Sequence, residues 1–347
     1  MVNVKRSDKN PIIDIKDVPP TRDDFEVVGV FNAGAAVYGD EIILLLRVAQ
    51  RAKDTGGSIY RCPMFDEEQG KITLLEFDRN DKSCNFSDTR NISKDGKNYT
   101  TSMSHLQIAR SKDGENFKID DKPFITGDNK YETLGTEDPR ITKIGDKYYI
   151  TYTAVSHCGI SVMLCVTEDF KTCKKLGVIF PPDNKDVVLF PDKINGKYYA
   201  LHRPMTGFGK PDIWLSESPD LMCWGNHRHI MGTRHKMWDS GRIGACCVPF
   251  LTDEGYLEIY HGATEDDRYC IGAALLDSEE PWKVLKRSKT PILAPEAEYE
   301  KNGFFGGVVF SCGCVVEGDN LSLYYGGADT RMCLAKMKVS EILNSLE

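Results

Sequence analysis

Two adjacent carboxylates form the densest group of side chains that could do chemistry. Glu137 and Asp138 lie within residues 135–140, Gly-Thr-Glu-Asp-Pro-Arg, directly before an apolar, strand-like run. The proline restricts the backbone, so both carboxylates would be presented rigidly where a strand begins. Arg140 adds a cation that could keep one of them ionised. The pattern indicates an acid–base or ligand-binding group, and an ordinary surface turn is the alternative interpretation.

Basic residues recur at the ends of other strand-like runs. Each alone could be a solvated charge, but several cations from strands of one ring would converge on a common axis. Such a cluster would bind a small anion, and phosphate is the obvious candidate. Asp329 is the equivalent strand-end acid of the last repeat, where a carboxylate suits sugar hydroxyl groups. The basic residues are Arg47, Lys185, Arg203, Arg242 and His261.

A short pattern that repeats five times indicates the elements that position these residues. Each copy is an apolar lead-in, a two-residue turn containing glycine, and an aromatic or aliphatic strand. Such tight turns need positive φ, which glycine adopts without strain. The last four turns recur at spacings of 51, 59 and 63 residues, in the range of propeller blades. The turn glycines are Gly39, Gly145, Gly196, Gly255 and Gly318.

A second repeated element, a strand, a Ser/Asp/Pro turn, an aromatic residue and another strand, follows four of these hairpins. The sequence therefore predicts an all-β fold, a five-bladed β-propeller with four-stranded antiparallel blades around a central funnel. We expect residues 1–347 to form one catalytic domain whose last blade is closed by an N-terminal strand. Residues 339–346 are predicted to form a short helix. The polar segment 78–101 is predicted to be a long loop, which could be a lid over the funnel.

The composition argues against several classes of protein. The 347 residues are 41% hydrophobic and 28% charged, with a net charge of −8, which disfavours a nucleic-acid partner. The polar first ten residues do not resemble a secretion signal, and no apolar run could span a membrane. Twelve cysteines without a CxxC pair indicate reduced thiols and no zinc site. We expect a cytoplasmic protein without a metal or organic cofactor and without a membrane partner; homo-oligomerisation stays open.

At these positions the chain resembles the mannoside phosphorylases of glycoside hydrolase family 130. That family has a five-bladed β-propeller fold, in agreement with the repeat count. The resemblance implies inverting phosphorolysis of a β-mannoside, which yields α-mannose 1-phosphate and a shortened acceptor, with inorganic phosphate as co-substrate. The resemblance extends from residue 10 to residue 329 and rests on Phe31-Asn32-Ala33 with Arg47, residues 135–141, Leu189-Phe190-Pro191, His202-Arg203-Pro204, residues 238–244, His261-Gly262 and residues 325–329.

The resemblance also implies roles for single residues. Asp138 matches the general acid of the family, which is thought to pass its proton through a hydroxyl of the bound mannose. At two phosphate positions the family often has the other cation, arginine near Lys185 and lysine near Arg242, which keeps the charge but changes the geometry. The implied phosphate-binding set is Lys185, Arg203, Arg242 and His261, and the implied mannose contacts are Asn32, Arg47 and Asp329, to which we add Glu137 and Arg140 as substrate-binding neighbours of Asp138.

The likeness over the whole chain is closest to enzymes acting on β-1,2-linked mannobiose and short oligomannans. We expect Tyr269, Asn302 and Phe304 to contact the acceptor sugar, although Phe304 could instead fill the core. The alternatives are a phosphorylase of β-1,4-mannosyl-glucose or β-1,4-mannooligosaccharides, a phosphate-independent β-mannosidase, and a non-catalytic sugar-binding propeller. An inverting hydrolase needs a second carboxylate to activate water, whereas phosphate arrives as an anion that cations can position. One acid with a cluster of cations therefore favours phosphorolysis.

Overall fold

The computed structural model describes residues 2–347, and strands account for most of its regular structure. The helices are a 3-10 turn at Ile15–Asp17, α1 (Glu298–Lys301) and α2 (Val339–Ser345). In chain order the strands are β1 (Lys5–Arg6), β2 (Phe25–Tyr38), β3 (Glu41–Ala52), β4 (Ile59–Asp66), β5 (Lys71–Asp78), β6 (Cys84–Asp88), β7 (Asn91–Lys94), β8 (Lys97–Thr100), β9 (Met103–Ser111), β10 (Lys118–Ile119), β11 (Gly135–Ile144), β12 (Lys147–Ser156), β13 (Gly159–Thr167), β14 (Lys174–Phe180), β15 (Asn184–Leu189), β16 (Tyr198–Pro204), β17 (Ile213–Ser218), β18 (Gly225–Met231), β19 (Arg242–Ala245), β20 (Phe250–Thr252), β21 (Gly255–Ala263), β22 (Tyr269–Leu276), β23 (Val284–Arg287), β24 (Val309–Glu317), β25 (Asn320–Gly327) and β26 (Arg331–Lys338).

Five large sheets carry the fold. Their strand orders are β10-β9-β3-β2, β11-β12-β13-β14, β15-β16-β17-β18, β19-β21-β22-β23 with β20 beside β21, and β1-β26-β25-β24. Neighbouring strands are antiparallel throughout these sheets. The predicted all-β fold of four-stranded antiparallel sheets is confirmed. The N-terminal strand β1 pairs with β26, as expected for closure of the last sheet.

The sheets pack against one another in a closed ring. Strand β24 contacts β2, β2 contacts β11, β11 contacts β15, β15 contacts β19, and β22 returns to β24. Four of the five expected glycines lie in turns that join strands, Gly255 begins β21 directly after such a turn, and all five have positive φ. Helix α2 occupies 339–345, in agreement with the predicted C-terminal helix. Within residues 2–347, no helix combines the length and apolar character needed to cross a bilayer.

The hydrophobic core lies between neighbouring sheets, and β3 shows how one strand serves two interfaces. Leu44 and Leu46 pack with Leu334 of the last sheet, whereas Leu45 packs with Ile150 of the following sheet. Because both faces of β3 are buried, its residues form a continuous apolar run in place of polar alternation. Burial on both faces fixes the register of the inner strands, which carry the site residues.

The prediction of a loop over 78–101 is wrong, because β6, β7 and β8 form a small sheet there. These strands are short and expose much of their surface, so their sequences lack a strong apolar pattern. Their buried face is small: Ile92 packs with Cys62 and Phe77 of the neighbouring β4–β5 hairpin. A tight turn joins β7 to β8, and its residues Asp95 and Gly96 both have positive φ. We call residues 59–100 the insertion.

Candidate active site

A cavity of about 370 Å³ opens where the inner strands meet. Strands β2, β3, β11, β15 and β16 contribute to its wall, together with the turn between β25 and β26. The insertion adds Arg90 and Asn91 to the wall, and a lid function of this segment stays a prediction. The cavity brings together nine of the residues selected from the sequence: Asn32, Arg47, Glu137, Asp138, Lys185, Arg203, Tyr269, Phe304 and Asp329.

The same backbone device presents polar side chains from three successive inner strands. Asn32, Asp138 and Asp186 have φ values of 51°, 47° and 54°, in the left-handed region. At each of these positions the pairing with the next strand shifts register, as in a β-bulge. A bulge redirects the side chain, and Asn and Asp tolerate the left-handed conformation better than most residues. The local sequence therefore decides which polar groups point inward.

Asp138 is held by two donors from the neighbouring sheet. Its Oδ1 atom accepts hydrogen bonds from Asn32 Nδ2 and Arg47 Nη1, both at 3.0 Å. The side chain is nearly buried, with the residue 6% exposed. Burial raises the pKa of Asp138, but the charges of Arg47, Lys185 and Arg140 outweigh this effect and hold the pKa below its ordinary value. The carboxylate is therefore fixed in position and ionised in the unliganded protein at neutral pH.

Glu137 joins the acidic and basic parts of the cavity. Its Oε1 atom accepts from Arg47 Nη2 at 2.7 Å, and its Oε2 atom accepts from Lys185 Nζ at 3.3 Å. Asp138 and Lys185, which lie in different sheets, therefore face the same small space. An anion bound at Lys185 would lie close to Asp138 and to a sugar bound beside it.

The pKa of Asp329, another carboxyl group of the cavity, is shifted in the opposite direction from the pKa of Asp138. Burial raises its pKa, the attraction of Arg47 opposes the rise, and the like charges of Asp138 and Glu137 add to it, so that the pKa reaches about 7. Asp329 lies in the turn between β25 and β26, with φ 48°. At neutral pH the group is therefore divided between a neutral acid, which can donate a hydrogen bond, and a carboxylate, which can only accept one.

Arg203 and His261 form the deeper part of the basic side. Arg203 Nη1 lies 3.0 Å from Asp186 Oδ2 and 3.4 Å from His261 Nε2. Arg203 Nε is buried and has no hydrogen-bond partner within residues 2–347. His261 is fully buried, and burial lowers its pKa to about 3 despite the nearby charge of Asp186. His261 is thus a neutral imidazole behind Arg203, outside the cavity lining.

Arg140 lies beneath the cavity, in a position that differs from the expected contact with substrate. It is 1% exposed and donates to Asp186 Oδ1 at 3.0 Å and to the backbone oxygens of Asp138 and Ala245. Burial lowers its pKa, but the neighbouring anions more than compensate and raise the pKa above the ordinary value. The buried guanidinium braces β11 against β15 and β19, and its donors are engaged by the protein itself.

Two further residues from the sequence prediction lie outside the cavity lining, and of these Arg242 adjoins the rim through Tyr269. Arg242 donates to the Tyr269 hydroxyl at 3.0 Å and to Asp267 Oδ1 at 2.7 Å. Asn302 donates to Glu298 Oε2 at 2.9 Å. In this arrangement neither side chain joins Lys185 and Arg203.

Sequence reasoning missed Asp186 and the contribution of the insertion. Asp186 could have been found, because it follows Lys185 as Asp138 follows Glu137, directly before an apolar strand. Arg90 of the insertion places its guanidinium carbon 5.3 Å from the ring centre of Phe305 at the cavity wall. No local sequence pattern signals that contact, because Arg90 and Phe305 are far apart in the chain.

The arrangement can bind a sugar and a small oxyanion side by side. It combines the carboxyl pair of Glu137 and the buried Asp138, an aromatic wall and basic groups with an unsatisfied donor, which together suit transfer at a glycosidic carbon. Within residues 2–347, no three His, Cys, Asp or Glu side chains are grouped to hold a metal ion. The fold and the site together define a carbohydrate-active enzyme of the propeller type.

Comparisons with known proteins place the chain in a family. The family described as beta-1,4-mannooligosaccharide phosphorylase, glycoside hydrolase family 130, matches residues 94–347. The chain is 50% identical to the beta-1,2-mannobiose phosphorylase of Listeria innocua, over 100% of this chain and 99% of the relative. It is 35% identical to the 1,2-beta-oligomannan phosphorylase of a Thermoanaerobacter species, over 99% of both chains. The structure of the Listeria enzyme in complex with beta-1,2-mannobiose superposes with a TM-score of 0.96, covering 99% of each chain. The protein belongs to glycoside hydrolase family 130.

Proposed function

We propose that the protein is an inverting phosphorylase of β-1,2-linked mannobiose and short mannooligosaccharides. The products would be α-D-mannose 1-phosphate and mannose or a shortened oligosaccharide. The observation that carries the proposal is that Asp138, Lys185 and Arg203 line one cavity, in which Glu137 accepts a hydrogen bond from Lys185 and is connected to Asp138 through Arg47. The identity of 50% to a beta-1,2-mannobiose phosphorylase supports the β-1,2 linkage over the β-1,4 linkage.

Phosphate would act as the nucleophile on the cationic side of the cavity. Lys185 and Arg203, which both line the cavity, would bind and orient it, and the Nε–H of Arg203 has no hydrogen-bond partner within residues 2–347. Attack occurs on the face of the sugar opposite the leaving oxygen, so a β-mannoside gives an α-phosphate. No second carboxylate is needed to activate water, because the nucleophile is already charged.

Asp138 would control the proton that the leaving oxygen needs. As the bond from C1 to the glycosidic oxygen breaks, the bond from C1 to a phosphate oxygen forms, and the leaving oxygen gains one proton. Asp138, a carboxylate in the unliganded protein, would take up one proton as the substrates bind and pass it through a hydroxyl of the bound mannose to the leaving oxygen. The proton that HPO₄²⁻ carries would be released to solvent once the phosphate ester has formed, so that no net proton is consumed and Asp138 ends the cycle as the carboxylate it began as.

The remaining cavity residues would bind the two sugars. Asn32, Arg47 and Asp329 surround the space next to Asp138, where the transferred mannose would lie. Tyr269 and Phe304 offer aromatic faces for the acceptor sugar. Arg242 and Asn302 would act at the rim, and Arg140 and His261 would support the site from beneath.

Inorganic phosphate is the only co-substrate that the proposed reaction requires. The partners would be small molecules, a β-mannoside and phosphate. A cytoplasmic location is supported by the twelve cysteines, all of which are free thiols in the structure.

The test is incubation of the protein with β-1,2-mannobiose in the presence and absence of phosphate. We expect mannose and α-mannose 1-phosphate only when phosphate is present, which ³¹P and ¹H NMR would identify. The same assay with β-1,4-mannobiose should give much slower turnover. Release of free mannose at a rate independent of phosphate would identify a hydrolase, and binding without turnover would identify a sugar-binding protein.

A further inference from the structure

Asp186 lines the basic side of the cavity and is 2% exposed. Its Oδ1 atom accepts a hydrogen bond from Arg140 Nη2 at 3.0 Å. Its Oδ2 atom lies 3.0 Å from Arg203 Nη1 and 3.5 Å from His261 Nε2. A carboxylate so close to the proposed phosphate site repels phosphate through charge alone. If Asp186 assists phosphate binding, it must therefore do so through an effect that outweighs this repulsion.

The backbone is distorted to bring the carboxylate to this place. Asp186 has φ 54°, and the pairing of β15 with β16 shifts register between Lys185 and Val188. Left-handed residues other than glycine are strained and persist where surrounding contacts hold them, often at functional sites. The same distortion delivers Asn32 and Asp138 to the cavity. Asp186 is thus presented like two residues of the proposed sugar site, but it points at the cations.

The opposite wall is shaped to receive the carboxylate. Gly244 of β19 packs against it so closely that a Cβ atom there would lie 2.4 Å from Asp186 Oδ2 and 2.5 Å from His261 Cε1. Real Cβ atoms do not approach other atoms this closely, so only glycine fits. The carboxylate, the imidazole and the strand β19 therefore form one packed unit.

This unit holds Arg203 by one edge of its guanidinium group. Nη1 forms an ion pair with Asp186 Oδ2 at 3.0 Å and lies 3.4 Å from His261 Nε2, and Nη2 donates to Met205 Sδ at 3.8 Å, whereas Nε has no partner within residues 2–347. A planar guanidinium that is fixed at one edge presents its other N–H groups in a defined direction. Without the carboxylate, the side chain could rotate and pair elsewhere.

We infer that Asp186 is a positioning residue of the phosphate site: its carboxylate fixes the guanidinium of Arg203 in the orientation that binds phosphate. This inference rests on the proposed phosphorolysis, because it assigns a task to Asp186 only if phosphate binds at Arg203. It predicts a change in the affinity for phosphate that is opposite in direction to the change expected from charge alone. Removal of a neighbouring anion should strengthen phosphate binding by charge alone, whereas loss of positioning should weaken it.

The test compares the steady-state kinetics of the full-length protein and its Asp186→Asn variant with β-1,2-mannobiose and inorganic phosphate. We expect the KM for phosphate to rise by about ten- to a hundredfold, the range typical of residues that orient the ligands of a bound ion, while the KM for mannobiose changes by less than about threefold. Asp186→Glu, which keeps the charge but displaces it, should give a smaller rise in the KM for phosphate.

Asp239→Asn is the matched control. Asp239 is also fully buried and also holds two arginines, with Arg234 Nη2 at 2.7 Å and Arg287 Nη2 at 2.6 Å, but it lies outside the cavity lining. This variant should lower the melting temperature without changing the KM for phosphate. The comparison separates a general loss of stability from an effect on the phosphate site.

The outcomes separate the inference from the proposed function. A wild-type protein whose turnover ignores phosphate would contradict the proposed function itself. A phosphate-dependent wild type with an unchanged or lower KM for phosphate in Asp186→Asn would overturn the inference alone. Failure of both Asp186 variants to fold would also overturn it, because the carboxylate would then serve the fold and not the orientation of Arg203.

Discussion

Arg47 Nη1 and Asp138 Oδ1 lie 3.0 Å apart and join two neighbouring sheets at the wall of the cavity. Because Arg47 also donates to Glu137 at 2.7 Å, one guanidinium group orders both carboxylates of the densest acidic motif in the chain. The charge of Arg47 contributes to the low pKa of Asp138. The carboxyl group to which we assign proton transfer is therefore held in position by contacts within the protein itself.

Asp138→Asn should abolish phosphorolysis while the fold remains intact. The amide still accepts hydrogen bonds from Asn32 and Arg47, but it cannot supply or relay a proton. We expect turnover to fall by about 10²- to 10⁴-fold, the range for loss of a general acid. The measurement is phosphate-dependent release of mannose 1-phosphate, with circular dichroism to verify the fold. Asp146→Asn, in the exposed turn after β11, is the control and should keep full activity; a near-normal rate in Asp138→Asn would refute the assignment of the acid.

Arg47→Lys should impair the use of mannobiose although it preserves the charge. A lysine cannot donate to Glu137 and Asp138 with the fork geometry of a guanidinium group. We expect kcat/KM for mannobiose to fall by about tenfold or more, equivalent to the loss of a charge-assisted hydrogen bond. Arg51→Lys is the control, because Arg51 lies in the same strand and pairs with Glu26 at the half-exposed surface. Equal rates in both variants would contradict the proposed role of Arg47.

The architecture could be predicted because its signals are local. A tight turn between two strands needs positive φ, and Gly39, Gly145 and Gly318 meet that need at values near 60°. The strands of the insertion could not be predicted in this way, because β7 and β8 bury little beyond Ile92 and have polar sequences. A strand that is only weakly buried leaves only a weak apolar pattern.

The site could be predicted only in part, because several side chains are engaged by distant partners. Asp138 and Arg203 lie in the cavity as their motifs indicate. Arg140 was expected beside the substrate, but Asp186, 46 positions further along the chain, holds it beneath the cavity. Arg242 is likewise retained at the rim by Asp267. Competition between such partners depends on the packing of separate sheets, which no local pattern contains.

Gly244→Ala should weaken phosphate binding specifically. The new methyl group would displace Asp186 or His261, which lie within 2.5 Å of its ideal position, and would thereby move Arg203. We expect a rise of about tenfold in the KM for phosphate, equivalent to a loss of about 1.4 kcal/mol in binding. Gly207→Ala is the control, because nothing lies within 4 Å of the Cβ position there. Unchanged phosphate kinetics in Gly244→Ala would show that Arg203 binds phosphate independently of this packed unit.

Arg203→Ala should raise the KM for phosphate more than Arg242→Ala does. Arg203 lines the cavity and has a buried N–H group without a partner, whereas Arg242 lies at the rim and is paired with Asp267. The comparison requires initial rates over a range of phosphate concentrations at saturating mannobiose. The reverse order of the two effects would mean that Arg242 leaves Asp267 and enters the cavity when phosphate binds.

Asp329→Asn should remove a pH-dependent loss of stability. The pKa of Asp329 is raised from 3.8 to about 7 in the folded protein, mainly by burial, so the folded state binds more protons than the unfolded state between these values. The free energy of unfolding of the wild type must then fall as the pH rises through this interval, by at most about 1.4 kcal/mol per pH unit from this group. Asparagine tolerates the left-handed backbone at 329 and carries no charge. Urea unfolding should therefore show that Asp329→Asn gains stability relative to the wild type from about pH 4 to about pH 7, and that the difference is constant at higher pH. A difference that does not change with pH would contradict the raised pKa, whereas a loss of activity in this more stable variant would show that the strained carboxyl group is retained for the sugar.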